Sequence, residues 1–274
     1  MQPSQAYRAA ESLLAFWAEA GVDAMLLDEA VDRIEAGKIA PPPSPVAARP
    51  VPAPVAGPRV AAAPSPDLSA AIAEAQQLAQ AADSIEALKA AIEAFEGCPL
   101  RFEGAASQAV FYRGDPAAPL MIVGDGPGSE EDAQGAPFVG RAGQLLDRML
   151  AAAGLTGRVF ITNTVFWRPP GDRAPSPPEQ AVCAPFLERA MELLSPKMLL
   201  VLGASSAKAL LRKDEGILSL RGRWHEWRSH SGNLELPVMP TLHPAFLLRQ
   251  PAAKKKVWSD LLTATERLDR PERP

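Results

Sequence analysis

Four short segments hold the polar residues best able to do chemistry: the turn Gly124, Asp125, Gly126, Pro127, Gly128; then Asn163; then Gly203 to Ser206, including Ser205; then His243. A strand, a glycine-rich turn and a helix in succession usually cradle a nucleotide phosphate, because glycine lets backbone N–H groups approach an anion. This turn has neither the G-x-G-x-x-G spacing nor a Lys-Ser/Thr pair, and Glu130, Glu131 and Asp132 would repel a pyrophosphate. A nucleotide site is not expected. What remains is a carboxylate, Asp125, that can orient water, support a developing cation or simply cap the turn. Asn163 offers a carboxamide that donates and accepts at once, or serves as a turn former. His243, one of three histidines, can in its neutral form donate toward developing negative charge if its other nitrogen has a partner.

These residues need a scaffold that brings them together. "LMIVG", "RVFITNTVFW", "KMLLVLG" and "LPVMPTLHP" read as strands, apolar without alternation, as parallel strands buried on both faces tend to be. Helical patterns at 140–153 and 177–194 separate the first three, and "ASSAKALL" follows the third. The pattern predicts a three-layer αβα fold with a central, mainly parallel sheet and right-handed crossovers. All four polar segments then fall at or just past the C-terminal ends of strands, the edge where open α/β sheets bind ligands.

This domain is expected to span 67–274, opening with an alanine-rich helical stretch from Asp67 to Phe95. Ahead of it, ten prolines between Pro41 and Pro66 define an extended linker over 41–66. Residues 1–40 carry apolar spacings that suit one or two short amphipathic helices, which are candidates for docking a protein partner.

Composition excludes several classes. At 274 residues, with 22% charged and 47% hydrophobic residues, the chain is ordinary for a globular protein. No apolar run approaches the roughly 20 residues that span a bilayer, and the N-terminus has no basic start followed by an apolar stretch. No membrane association and a cytoplasmic location are expected. Two cysteines cannot form a disulfide framework. The net charge of -4 divides unevenly: up to Gly97 there are 6 Lys/Arg against 13 Asp/Glu, and from Cys98 onward 22 against 19. The mildly basic second part permits a polyanionic partner without demanding one.

The ordered set "GDGPGSEEDAQGAPFVGRAGQLLDRML", "VFITNTVFWRPPGDRAPSPPEQAVCAPFL", "PKMLLVLGASSAKALL", "LPVMPTLHPAFLLRQP" and "KKKVWSDL" closely resembles the family 4 uracil-DNA glycosylases, from Cys98 to about Leu262. The resemblance implies a uracil-DNA glycosylase-like fold and a monofunctional enzyme of base excision repair. Such an enzyme extrudes uracil from DNA, hydrolyses its N-glycosidic bond and leaves an abasic site. It implies that Gly124 and Gly126 line the uracil pocket, that Phe138 stacks on the flipped base, and that Asn163 reads the uracil edge. His243 would donate to uracil O2, and Asp125 would orient water or support the sugar cation. Ala245 to Arg249, with Leu247, Leu248 and Arg249, would enter the minor groove. Arg141, Arg168 and Ser205 become DNA contacts, with Arg173 and Lys254 to Lys256 as further phosphate candidates. A monomer acting on uracil-containing DNA is expected.

Two departures from the family pattern stand out. The family has glutamate where this chain has Asp125, whose stem is one methylene shorter. The family also carries four cysteines for a 4Fe-4S cluster; here Cys98 and Cys183 fit two positions, while Phe95 and Trp167 occupy the others. The expectation is no metal and no cofactor, with two reduced, buried cysteines as remnants. A weakly active or inactive DNA-binding or scaffold protein that keeps the fold is the alternative.

Overall fold

The computed structural model describes residues 68–270. The expected N-terminal helices (1–40) and the proline-rich linker (41–66) lie outside the described residues.

A six-stranded sheet forms the middle layer. Its strands are β1 (Tyr112–Gly114), β2 (Leu120–Gly124), β3 (Val159–Asn163), β4 (Met198–Leu202), β5 (His225–Arg228) and β6 (Glu235–Thr241), in the spatial order β1-β3-β2-β4-β6-β5. The inner four are mutually parallel, and β1 and β5 run antiparallel at the two edges. Every position of β2, β3 and β4 is buried, which is why their sequences are unbroken apolar runs. The edge strands were not legible in the sequence. β1 has three residues, and in β5 only Trp227 is buried, so neither carries an apolar run.

The helices are α1 (Leu68–Ala81), α2 (Ile85–Ala94), α3 (Ser129–Gln134), α4 (Arg141–Ala152), α5 (Pro177–Leu194), α6 (Ala204–Leu211), α7 (Ile217–Leu220), α8 (Pro244–Arg249) and α9 (Lys254–Asp269). Period-two alternation along the strands sorts them into layers. Met121, Val123, Leu199 and Val201 pack into one core with α1, α2 and α5, whereas Leu120, Ile122, Leu200 and Ile161 pack into a second with α4, α8 and α9.

The helical stretch expected from Asp67 to Phe95 is two helices. Ser84 breaks it by accepting the Ala87 N–H through Oγ at 3.2 Å, as an N-cap does. On α1 the buried face is Ala71, Ala75 and Ala79, small side chains that let it lie close against α5. The run "RVFITNTVFW" is strand only as far as Asn163. Beyond it the Thr164 N–H donates to the Gly124 carbonyl at 2.9 Å, and the chain leaves the sheet as a buried loop.

α5 begins where Pro177 and Pro178 need no N–H partner. Glu179 fastens the loop before it, accepting from the Ser176 N–H at 2.7 Å and from both Arg173 terminal nitrogens at 2.6 and 2.9 Å. Burial pushes the Glu179 carboxyl up, but the Arg173 fork and Ser176 outweigh it and hold the group below the ordinary carboxylate range.

Candidate active site

The four inner strands end level with one another, so their following residues meet. Gly124 and Asn163 are directly paired across β2 and β3. Gly203, just past β4, donates its N–H to the Thr241 carbonyl of β6 at 3.0 Å, two residues before His243. The parallel register therefore assembles the polar segments without any long side chain reaching across.

Asn163 is 1% exposed, and its Oδ1 and Nδ2 are the buried side-chain polar atoms without a hydrogen-bond partner among the described residues. A buried amide left unpaired costs about 1–3 kcal/mol, so such an atom calls for a functional reason. Above it Gly124 is a floor: a Cβ there would collide with the Phe138 ring and lie 2.6 Å from Asn163 Oδ1. Only glycine lets the ring and the carboxamide converge on this point. Phe138 itself is 6% exposed, adopts φ 56°, and lies 5.5 Å from the His243 ring, centroid to centroid, tilted by 34°.

His243 sits at the N-cap of α8, where its Nδ1 accepts the Ala245 N–H at 3.2 Å. An accepting Nδ1 leaves the proton of the neutral ring on Nε2. Burial lowers the imidazole below its usual range, with Asp125 opposing and Arg249 assisting, so the neutral donor is the favoured form. Asp125 is fixed on the other side of the turn. Its Oδ1 accepts from the Ser206 N–H at 2.7 Å and its carbonyl from Thr164 Oγ1 at 2.6 Å. A Cβ on Gly203 would stand 3.1 Å from Asp125 Oδ2 and 3.4 Å from the His243 Cβ, so carboxylate and imidazole flank that glycine. Behind them Thr241 donates to Asp260 Oδ2 at 2.5 Å, and Arg221 pairs with the same carboxylate. Burial raises Asp260 above its usual range, with Thr241 and Arg221 pulling against it.

Most of the expected site residues gather here. Gly124, Asp125, Phe138, Asn163 and His243 form one cluster, while Gly126 packs against Val165 and Pro175 at its side. Ser205 accepts from Gln180 Nε2 at 3.1 Å and stands beside a cleft of ≈ 590 Å³ rimmed by Lys208 and Arg212. Arg141 and Arg249 are exposed at the first residue of α4 and the last of α8. Other expectations need revision. Leu247 is fully buried in the core, because 244–249 is helical and turns that side chain inward, and of the large apolar side chains there Phe246 and Leu248, 36% and 38% exposed, face out. Arg168 is engaged with Asp172 at 2.7 Å, and Arg173 with Glu179 and Glu103, so any phosphate would compete with an intrachain partner.

Three residues near the site escaped sequence reasoning. Gln180 bridges Ser205 and Thr164. Glu131 accepts from Gly128 N–H at 3.1 Å and Gly140 N–H at 3.0 Å, tying the turn to the segment after Phe138; its position three residues after Gly128 is capping-box spacing and was a readable signal. Arg113 lies on the unforeseen strand β1.

The donor set does not fit a four-thiolate cluster. Cys98 and Cys183 are fully buried with their sulfurs 3.9 Å apart. The Phe95 ring packs edge-on against Phe186 at 5.2 Å and lies 6.4 Å from Trp167. Among the described residues no group of three or more His, Cys, Asp or Glu is arranged to hold a metal. Burial, followed by the neighbouring Cys98 sulfur, pushes the Cys183 thiol up, which keeps it protonated.

Fold and site together define a class: an αβα protein whose strand ends present a turn carboxylate, an unpaired carboxamide, an aromatic face and a neutral imidazole. The model of the uracil DNA glycosylase superfamily matches residues 111–262, and the chain belongs to that superfamily. Among its relatives are type-4 uracil-DNA glycosylases. The one from Sulfurisphaera tokodaii is 36% identical over 70% of this chain and 88% of its own length, and that from Pyrobaculum aerophilum 38% over 65% and 91%. A third, from Thermotoga maritima, is 38% identical over 56% of this chain and 77% of its own.

Proposed function

We propose that the chain hydrolyses the N-glycosidic bond between uracil and deoxyribose in DNA, as a monofunctional glycosylase of base excision repair, and leaves an abasic site. The observation that carries this reading is the Asn163 carboxamide, buried and unpaired beside the Phe138 ring. Its Oδ1 accepts from uracil N3–H while Nδ2 donates to O4. Cytosine presents an amine where O4 would be and an unprotonated N3, so both bonds are lost at about 1–3 kcal/mol for each buried group left unpaired. Phe138 stacks on the extruded base, worth roughly 1–3 kcal/mol.

As the C1′–N1 bond breaks, its electron pair moves into the base, and His243 Nε2–H donates to O2 where charge accumulates. Asp125, held by the Ser206 N–H, orients the water that attacks C1′ or supports the sugar cation. Arg141, Arg249 and Ser205 contact the DNA backbone, and Leu248 with Phe246 fills the gap left by the base. Arg168 joins them only by exchanging Asp172 for a phosphate. No metal or cofactor takes part. The chain acts as a monomer, with 67–274 as the glycosylase domain; 1–40 and 41–66 serve as a tethered arm for a protein partner and are dispensable for chemistry.

Purified protein should release uracil from single- or double-stranded oligonucleotides carrying one uracil, and fail on the matched cytosine substrates. Binding to uracil-containing DNA without release would favour the scaffold alternative.

A further inference from the structure

Phe138 presents its ring from a left-handed backbone conformation, φ 56°. For a non-glycine residue that conformation is uncommon and unfavourable, and it persists only where the surroundings over-determine it. The constraints are visible. Arg113 Nε donates to the Pro137 carbonyl at 2.8 Å, and its Nη2 to the Phe138 carbonyl at 3.2 Å. The same Nη2 pairs with Asp147 of α4 at 2.6 Å, which orients the guanidinium. Opposite, the Phe138 carbonyl presses on Gly143, where any Cβ would overlap it. Glu131 takes the Gly140 N–H two residues further on.

We propose that Arg113 is a positioning residue for base recognition, a planar fork that grips two successive carbonyls and so locks the Phe138 ring over Gly124 and Asn163. This rests on the reading of Phe138 as the stacking face. The fork geometry is specific to arginine, because a lysine ammonium on a flexible stem cannot span both carbonyls while facing Asp147. The edge strand β1 thereby acquires a purpose. Its pairing of Arg113 with Ile161 on β3 anchors the guanidinium to the strand that ends in Asn163, so platform and carboxamide share one reference frame.

A double-mutant cycle tests this. Single-turnover uracil excision is measured on the full chain, on Arg113→Ala, on Phe138→Ala and on the double variant, with thermal unfolding followed for each. Arg113→Ala is expected to slow excision about tenfold when Phe138 is present, since small misplacements at a reacting site are costly, and to change it less than about twofold when Phe138 is already alanine. Arg113→Lys should not restore the rate. Equal losses in the two backgrounds, or no loss with Phe138 present, overturn the proposal. Should Arg113→Ala not fold, Asp147→Asn, which removes the charge that orients the fork, replaces it in the same cycle with the same two criteria. If Phe138→Ala alone excises at the parent rate, the stacking reading fails first, a result distinct from failed coupling. Affinity for an oligonucleotide carrying non-cleavable 2′-fluoro-deoxyuridine gives the cycle a second readout independent of turnover.

Discussion

The strand-end cluster around Asn163 and the interior around Cys98 and Cys183 lie in the same domain and solve opposite problems. At the sheet edge a carboxamide is buried with no hydrogen-bond partner among the described residues, a phenylalanine is held in an unfavourable backbone conformation, and a glycine lets ring and carboxamide close in where a side chain would collide. Around the cysteines the side chains are apolar and buried. Phe95, Phe166, Phe186 and Trp167 pack ring against ring beside two free, buried cysteines. One region carries local costs that a bound group of matching polarity would relieve; the other is filled by apolar rings, and the loop at 167–176 rests on packing and on the Arg173–Glu179 pair. Unpaired polarity marks the candidate site, and dense aromatic packing marks an interior that is held together.

Stability and activity should move independently in the two regions. The largest effect is expected in the interior: Phe95→Ala should cost about 3–5 kcal/mol of unfolding free energy in denaturant titration, as large-to-small changes at fully buried aromatics do, while the folded fraction excises uracil normally. An inactive but well-folded Phe95→Ala protein would mean that this region does more than support.

At the edge the pattern inverts. His243→Ala should lower single-turnover excision by ~10²–10³, the usual consequence of removing one donor aimed at developing charge, while costing only about 1 kcal/mol of stability for the lost cap of α8. A parent-like rate would remove His243 from the chemistry. Asn163→Leu sharpens the contrast, since replacing an orphaned carboxamide by an apolar side chain of similar shape should leave stability unchanged or raise it by about 1 kcal/mol while abolishing excision. A large loss of stability in this variant would show that the carboxamide is bonded in solution after all.

Acidification gives a subtler test. Burial lowers His243 from 6.5, and protonation at Nδ1 would forfeit the bond from Ala245. Excision should therefore hold steady as pH falls through 6.5 and decline only below it. Between those limits the unfolded chain takes up a proton that the folded one refuses, so this residue's contribution to stability falls as pH drops below 6.5. An acid limb at or above 6.5 that disappears in His243→Ala would contradict the assignment. The smallest effect, none at all, is expected from chelation: anaerobically purified protein should be colourless, hold no stoichiometric iron and keep its activity, whereas about four iron atoms per chain would show that other ligands complete a cluster.

Sequence alone was enough for the layered fold and for bringing together most of the candidate site. Buried parallel strands must be apolar throughout, and polar residues just past them must lie at one edge whatever the details of packing. Hence Asp125, Asn163 and His243 could be grouped from the sequence. Tertiary structure decided what depends on direction and partnership. Which leucine of 247 and 248 faces out turned on the helix that begins at Pro244. Whether Arg168 and Arg173 are free turned on acids that the fold brings beside them. Strands β1 and β5 are too short and too exposed to announce themselves, and with β1 went Arg113, whose target is a pair of backbone carbonyls. A side chain that grips backbone leaves no complementary residue to find, so only the fold could reveal it.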